Sequence, residues 1–163
     1  MSCITLKSAD ALISQVQHVL TSIYVQLGSL LPDAEIEHIG ATAVPGAVTK
    51  GDVDVVILVA PPAFQAAIEI LKKHFSIKQP TNWTKNFASF GDDASYDLPL
   101  GIQLVIKGSE ADSLVFLRNY LILNPDVLTD YNRLKVQYAK DGPDAYWKAK
   151  DSFLSRILVS HHQ

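Results

Sequence analysis

Two aspartates, Asp52 and Asp54, open an apolar and largely β-branched run, Asp52-Val53-Asp54-Val55-Val56-Ile57-Leu58-Val59. Such a run has the composition of a buried strand, and strand residues two apart project from the same face. The two carboxylates therefore stand side by side and repel. A shared proton relieves that repulsion, as does a divalent cation that prefers hard oxygen ligands, such as Mg²⁺. Gly40 precedes Asp52 by twelve residues. Glycine permits positive φ and close backbone approach, so the amides of Gly40, Ala41 and Thr42 can point at an anion where a short helix begins. The plain alternative is a tight turn. Lys50 lies just ahead of the aspartates, where its ammonium either meets a phosphate at the mouth of the site or is simply solvated.

The stretch His38-Ile39-Gly40-Ala41-Thr42-Ala43-Val44-Pro45-Gly46 resembles the HxGSTSVPG box of the GrpB family. That family is a branch of the nucleotidyltransferase superfamily, whose signature is a hydrophobic-Gly-Gly/Ser turn followed by Asp-hydrophobic-Asp/Glu-hydrophobic. Downstream, Phe116 to Leu121, Asn124-Pro125, Tyr131, Leu134-Lys135, Tyr146, Lys150 and Phe153 fall in the family's order and spacing. The resemblance runs from about residue 34 to 158. It implies a nucleotide or another phosphorylated small molecule as partner, an acceptor of unspecified chemistry, Mg²⁺ held by Asp52 and Asp54, and phosphate contacts from His38 and the Gly40 turn. It further implies that Arg118, Lys135 and Lys150 converge on the anion.

Three positions depart from the family. Ala41 stands where the family has Ser, which leaves Thr42 to supply the hydroxyl beside a phosphate. Lys50-Gly51-Asp52 replaces a segment that commonly lacks the first acid, so Asp52 restores a metal-binding pair. Gln103 occupies a position where active nucleotidyltransferases carry a third carboxylate and GrpB relatives a His. Its amide can orient a substrate, but it cannot act as a general base. Two functions follow as expectations: nucleotidyl transfer from a nucleoside triphosphate, or a non-catalytic nucleotide- or anion-binding module of the same fold. A third, structural reading makes the two aspartates mere caps at a strand start.

The elements that must position these residues are legible from periodicity. Leu12, Val16, Val19, Leu20, Ile23, Leu27 and Leu30 recur at three and four, which predicts an amphipathic helix capped by Ser8 or Asp10 and ended by Pro32-Asp33. A strand over 34–39 delivers the chain to Gly40, and the second strand begins at Asp52. A helix over 63–74 and strands over 75–78, 84–90 and 100–107 follow. Helices over 109–123, 126–139 and 143–161 complete the chain, the last opening at Gly142-Pro143. The pattern predicts an α/β (α+β) fold, a small mixed sheet with helices packed on it and a helical C-terminal region, and the resemblance implies that this fold is nucleotidyltransferase-like. His161 and His162 are adjacent, so they cannot share one helix face, and fraying is expected there.

Length and composition bound the rest. The 163 residues suit one domain. Apolar residues make up 48% and charged ones 19%, the profile of a soluble globular protein. A net charge of -3 gives no basic footprint for duplex nucleic acid or an anionic membrane. A single cysteine, Cys3, excludes an intrachain disulfide and a Cys-rich zinc site. Neither a leader pattern nor an apolar span is legible, so a cytoplasmic protein is expected.

Overall fold

The computed structural model describes residues 3–161. Its centre is a five-stranded mixed sheet. The chain enters through a two-residue strand, β1 (Lys7–Ser8), and a 3₁₀ turn over Ala9–Leu12, then forms α1 (Ile13–Leu30). Next come β2 (Glu35–Ile39), a 3₁₀ turn at Ala41–Ala43, the short β3 (Val48–Thr49) and β4 (Val53–Val59). Helix α2 (Phe64–Lys72) leads to β5 (Ser76–Ile77), β6 (Phe87–Asp92) and β7 (Leu100–Ile106). Three helices end the chain: α3 (Leu114–Leu123), α4 (Pro125–Ala139) and α5 (Pro143–His161). In the sheet the order is β2-β4-β7-β6-β5, with β4 and β7 parallel and every other pair antiparallel.

Strand β4 is apolar because both of its faces are covered. Val53, Val55, Ile57 and Val59 join the buried stripe of α1 (Val16, Val19, Leu20, Ile23 and Leu27) and the α2 residues Phe64, Ala67, Ile68 and Leu71 in the main core. Val56 and Leu58 point the other way, to a smaller core with Ile39, Val105 and the α3 residues Leu114 and Val115. Helix α3 covers only part of that second face. The first residues of β4 and the adjoining part of β7 stay open on it. A third cluster joins Val44 and Ala47 to Leu117, Leu121, Leu128, Tyr131 and Ile157. That cluster fixes the C-terminal helices against the loop that follows Gly40.

Several boundaries differ from expectation for local reasons. Neither Ser8 nor Asp10 caps α1; Asp10 Oδ1 instead accepts the Gly46 amide at 3.1 Å and ties the helix entry to the loop. Asp52 precedes β4 rather than starting it. The third-last helix begins at Leu114, because residues 109–113 form turns pinned by the Asp112 carboxylate, which accepts the Gly108 amide at 2.8 Å. The short pair β1–β3 carries no periodic signal that a sequence could show. His161 does not fray: its ring packs edge-on against Tyr120 at 4.6 Å, and its Nδ1 lies 2.9 Å from the Ile157 carbonyl. His162 lies outside the described residues. Among the described residues, no helix is long and apolar enough to cross a membrane.

Candidate functional site

The open part of the sheet face and the C-terminal helices enclose a cleft of about 450 Å³. Asp54 sits on its floor. In the ladder Asp54 lies between Ile39 of β2 and Gly101 of β7, and its carboxylate fills space that only glycine leaves free. A Cβ at Gly101 would come within 2.4 Å of Asp54 Oδ1, and one at Gly40 within 2.8 Å of Oδ2. Gly40 also holds φ +76°, which glycine alone adopts without strain. The bend and the strand thus meet around one carboxyl group. Burial, and secondarily the Asp52 charge, pushes the Asp54 pKa up to about 6. Asp52 lines the same cleft, and its Oδ2 lies 3.4 Å from Lys50 Nζ.

Cations approach from the helices. Lys135 of α4 is 1% exposed, the least accessible charged side chain in the cleft, and its ammonium donates to the Val48 carbonyl and lies over the Tyr131 ring. Burial, reinforced by Lys150, pulls its pKa down to about 7. Lys150 of α5 is likewise held below the usual lysine range by burial, against a pull upward from Asp54. Neither lysine forms an ion pair among the described residues. Lys50 and Lys150 place their ammonium groups 4.4 and 4.3 Å from the Trp147 ring centre. Lys50, Lys135, Lys150, Trp147 and the two aspartates all line one cavity.

Other expected site residues do different work. His38 alternates to the far face of β2, and Thr42 falls outside the cleft lining. His38 Nε2 lies 2.9 Å from Thr42 Oγ1, which itself donates to the Asp52 carbonyl at 3.1 Å. The hydroxyl proton is committed to that carbonyl, so the imidazole supplies the proton of the first bond and the Nε2–H tautomer follows. Burial, with help from Arg118, lowers the His38 pKa to about 4 and keeps the ring neutral. Thr42 therefore stitches the bend to the strand instead of offering its hydroxyl to a phosphate. Arg118 borders the cleft, yet its guanidinium is occupied by the His38 carbonyl at 2.8 Å, Glu37 at 2.9 Å and Asn119. It fastens α3 to β2. Ala41 lines the cleft beside Gly40 and brings no polar side chain to it.

The donor set suits Mg²⁺. This ion keeps several waters and is commonly held by one or two carboxylates plus substrate phosphates, which is what Asp52 and Asp54 can offer in an open cleft. Among the described residues no cluster of three or more His, Cys, Asp or Glu side chains forms a closed protein cage. Gln103 sits one strand over, opposite Val56, and carries no charge. Sequence reasoning missed Gly101, Ser89 and Trp147. A glycine inside an apolar strand signals close approach of another group, so Gly101 had a legible signal; Ser89 and Trp147 had none.

Residues 7–160 match the model of the family described as GrpB protein. The chain belongs to the GrpB family. A UPF0157 protein of Vibrio cholerae is 30% identical over 151 residues, which cover 92% of this chain and 79% of the relative. A UPF0157 protein of Pseudomonas aeruginosa is 30% identical over 140 residues, 78% of this chain and 55% of that one. The crystal structure of GrpB from Enterococcus faecalis superposes with a TM-score of 0.67 at 18% identity, over 94% of this chain and 99% of that one. The Cid1 poly(U) polymerase with MgGTP bound gives a TM-score of 0.53 at 14% identity, over 82% of this chain and 46% of that one. At these identities the structural likenesses establish the fold. The GrpB chain described here has a nucleotidyltransferase-like fold, and its five-stranded mixed sheet agrees with the α+β expectation.

Proposed function

We propose that this cleft binds a nucleoside triphosphate together with Mg²⁺ and transfers the nucleotidyl group to an acceptor. The observation that carries the reading is the Asp54 carboxylate wedged between Gly40 and Gly101, with Asp52 beside it and Lys135 and Lys150 in the same cavity. Asp52 and Asp54 hold Mg²⁺, which when bound neutralises charge on the phosphates and on the leaving pyrophosphate. Lys135, Lys150 and Lys50 offer charge-assisted hydrogen bonds to phosphate oxygens, and the Gly40 bend brings backbone close to them. A nucleophile on the acceptor attacks the α-phosphorus. The bond from the α-phosphorus to the bridging oxygen breaks, and pyrophosphate leaves. Structural relatives described with MgGTP or MgATP support this choice of ligand.

The test is pyrophosphate release from a panel of nucleoside triphosphates with Mg²⁺, in the wild type and in Asp52→Asn and Asp54→Asn. Release by the wild type and its loss in both variants is expected; release that survives in Asp54→Asn overturns the mechanism. Gln103 favours a second reading, a non-catalytic module that binds a nucleotide or other anion, since no acidic side chain stands at that position to activate a nucleophile. Calorimetry that finds tight Mg²⁺-nucleotide binding without pyrophosphate release selects the module.

A further inference from the structure

The cleft has a second polar surface that the phosphate contacts do not use. Ser89 of β6 pairs directly with Gln103 of β7, so their side chains project together from the open sheet face. Ser89 is 4% exposed and lines the cleft, and neither its hydroxyl nor the Gln103 amide hydrogen-bonds another described side chain or backbone group. No buried polar side-chain atom in the described residues lacks a partner, so both groups reach the cavity rather than being walled in. From Asp54 to Gln103 is one strand across and two residues on, about 8 Å at ordinary strand spacings.

The charges of the cleft are segregated. Lys50 contacts Asp52, and Lys135 and Lys150 come from the helices, so the polyphosphate belongs on that side. The β6–β7 side holds Ser89, Gln103 and the rim pair Lys78–Asp93, whose opposite charges are matched in an ion pair. An anion on this ledge would sit beside Asp54 with no free cation to meet it. Displacement at phosphorus runs roughly in line, with entering and leaving oxygens on opposite sides. With pyrophosphate leaving toward the lysines, the entering group comes from the ledge.

We infer that the Ser89–Gln103 ledge is the acceptor subsite and that it receives an uncharged alcohol or sugar hydroxyl; this rests on the nucleotidyl-transfer reading above. The hydroxyl oxygen bonds to the α-phosphorus as the bridging P–O bond breaks. Its proton passes to water at the open mouth, since Gln103 cannot accept it.

The experiment offers the full chain α-³²P-labelled nucleoside triphosphates and Mg²⁺ with six probes: glycerol, ribose and glucose, and glycerol 3-phosphate, ribose 5-phosphate and glucose 6-phosphate. Calorimetry with α,β-imido triphosphates runs alongside. Label is expected on the neutral probes, and Ser89→Ala and Gln103→Leu should each raise the acceptor KM at least tenfold while the nucleotide KM stays within twofold. Label only on the phosphorylated probes, or on none while the imido nucleotide binds, overturns the acceptor assignment and leaves nucleotide binding standing. A tenfold loss of imido-nucleotide affinity in Ser89→Ala does the same, by placing the ledge under the nucleotide. A wild type that binds no imido nucleotide overturns the nucleotide reading itself.

Discussion

Replacing Gly101 by Ala tests whether this glycine exists to make room for a carboxylate. The added Cβ would lie 2.4 Å from Asp54 Oδ1, about 1 Å inside the 3.4 Å at which ordinary contact begins. Toward β2 the carboxylate already fills the space that Gly40 leaves open, where a Cβ would lie 2.8 Å from Oδ2. The carboxylate must rotate or the strands must part, and overpacking of this kind costs about 1–3 kcal/mol. A displacement of roughly 1 Å at a reacting centre costs about 10²-fold in rate. Deleting the carboxylate reverses the sign. In an Asp54→Ala background both clashing Asp54 atoms are gone and the nearest remaining neighbour of the new Cβ is Gln103 Nε2 at 3.8 Å, and Gly→Ala within a strand then stabilises by about 0.5–1 kcal/mol. Urea denaturation of wild type, Gly101→Ala, Asp54→Ala and the double variant reads both quantities. Equal cost of Gly101→Ala in the two backgrounds would refute the reasoning.

Other outcomes follow from the same geometry. The folded-state pKa of Asp54, about 6 against an ordinary 3.8, means the folded chain holds a proton that the unfolded chain has released between those values. The Asp54 contribution to stability therefore falls as pH rises from about 4 to 6, while His38, with a folded pKa of about 4, contributes a rise over the same window. The Tm of wild type minus that of Asp54→Asn, followed across pH 4–7.5, isolates the Asp54 part and should fall through that window. Lys135 behaves oppositely: with a folded pKa near 7 against 10.5, its burial penalty is complete below pH 7 and fades as pH rises to 10.5. Lys135→Met should be more stable than wild type at pH 7, by on the order of 2 kcal/mol, with the gain shrinking at pH 9, and should bind triphosphate more weakly. Arg118→Ala removes the tie from α3 to the His38 carbonyl and Glu37; a loss of about 1–3 kcal/mol in denaturation with a nucleotide Kd changed less than threefold marks it as a fastener. Mg²⁺ and triphosphate should each tighten the other's binding by roughly 5–150-fold in calorimetry, and independent binding would contradict a shared site.

The sequence made the sheet strands and Asp54 legible because strand alternation and β-branched composition are local properties. Asp52 lies just outside β4, so strand alternation does not place it, yet both aspartates line the cleft. The roles of His38, Thr42 and Arg118 were not legible in the same way. His38 sits one residue from Ile39, and that single step of the strand period sends it to the opposite face from the cleft. Thr42 has a hydroxyl that suits a phosphate equally well, but the nearest acceptor in the fold is the Asp52 carbonyl ten residues on. Arg118 finds its partners eighty residues earlier in the chain, a pairing set by how α3 docks on β2. The resemblance to the GrpB family supplied Lys135 and Lys150, whose convergence depends on the packing of α4 on α5.

The shifts at Asp54 and Lys135 are two views of one electrostatic imbalance. Burial, with the Asp52 charge, raises the pKa of the acid against the opposing pull of Lys150 and Lys50, and burial, with the Lys150 charge, pulls the base toward neutrality. They share a cavity without closing on each other, since one is fixed by a strand ladder and two glycines and the other by the Val48 carbonyl. A bare metal ion would satisfy the aspartates and leave the lysines unrelieved. A bare phosphate would satisfy the lysines and meet repulsion from the aspartates. A divalent cation chelated by a polyphosphate, the ligand proposed above, would present positive charge to one wall and negative charge to the other and so would relieve both penalties at once.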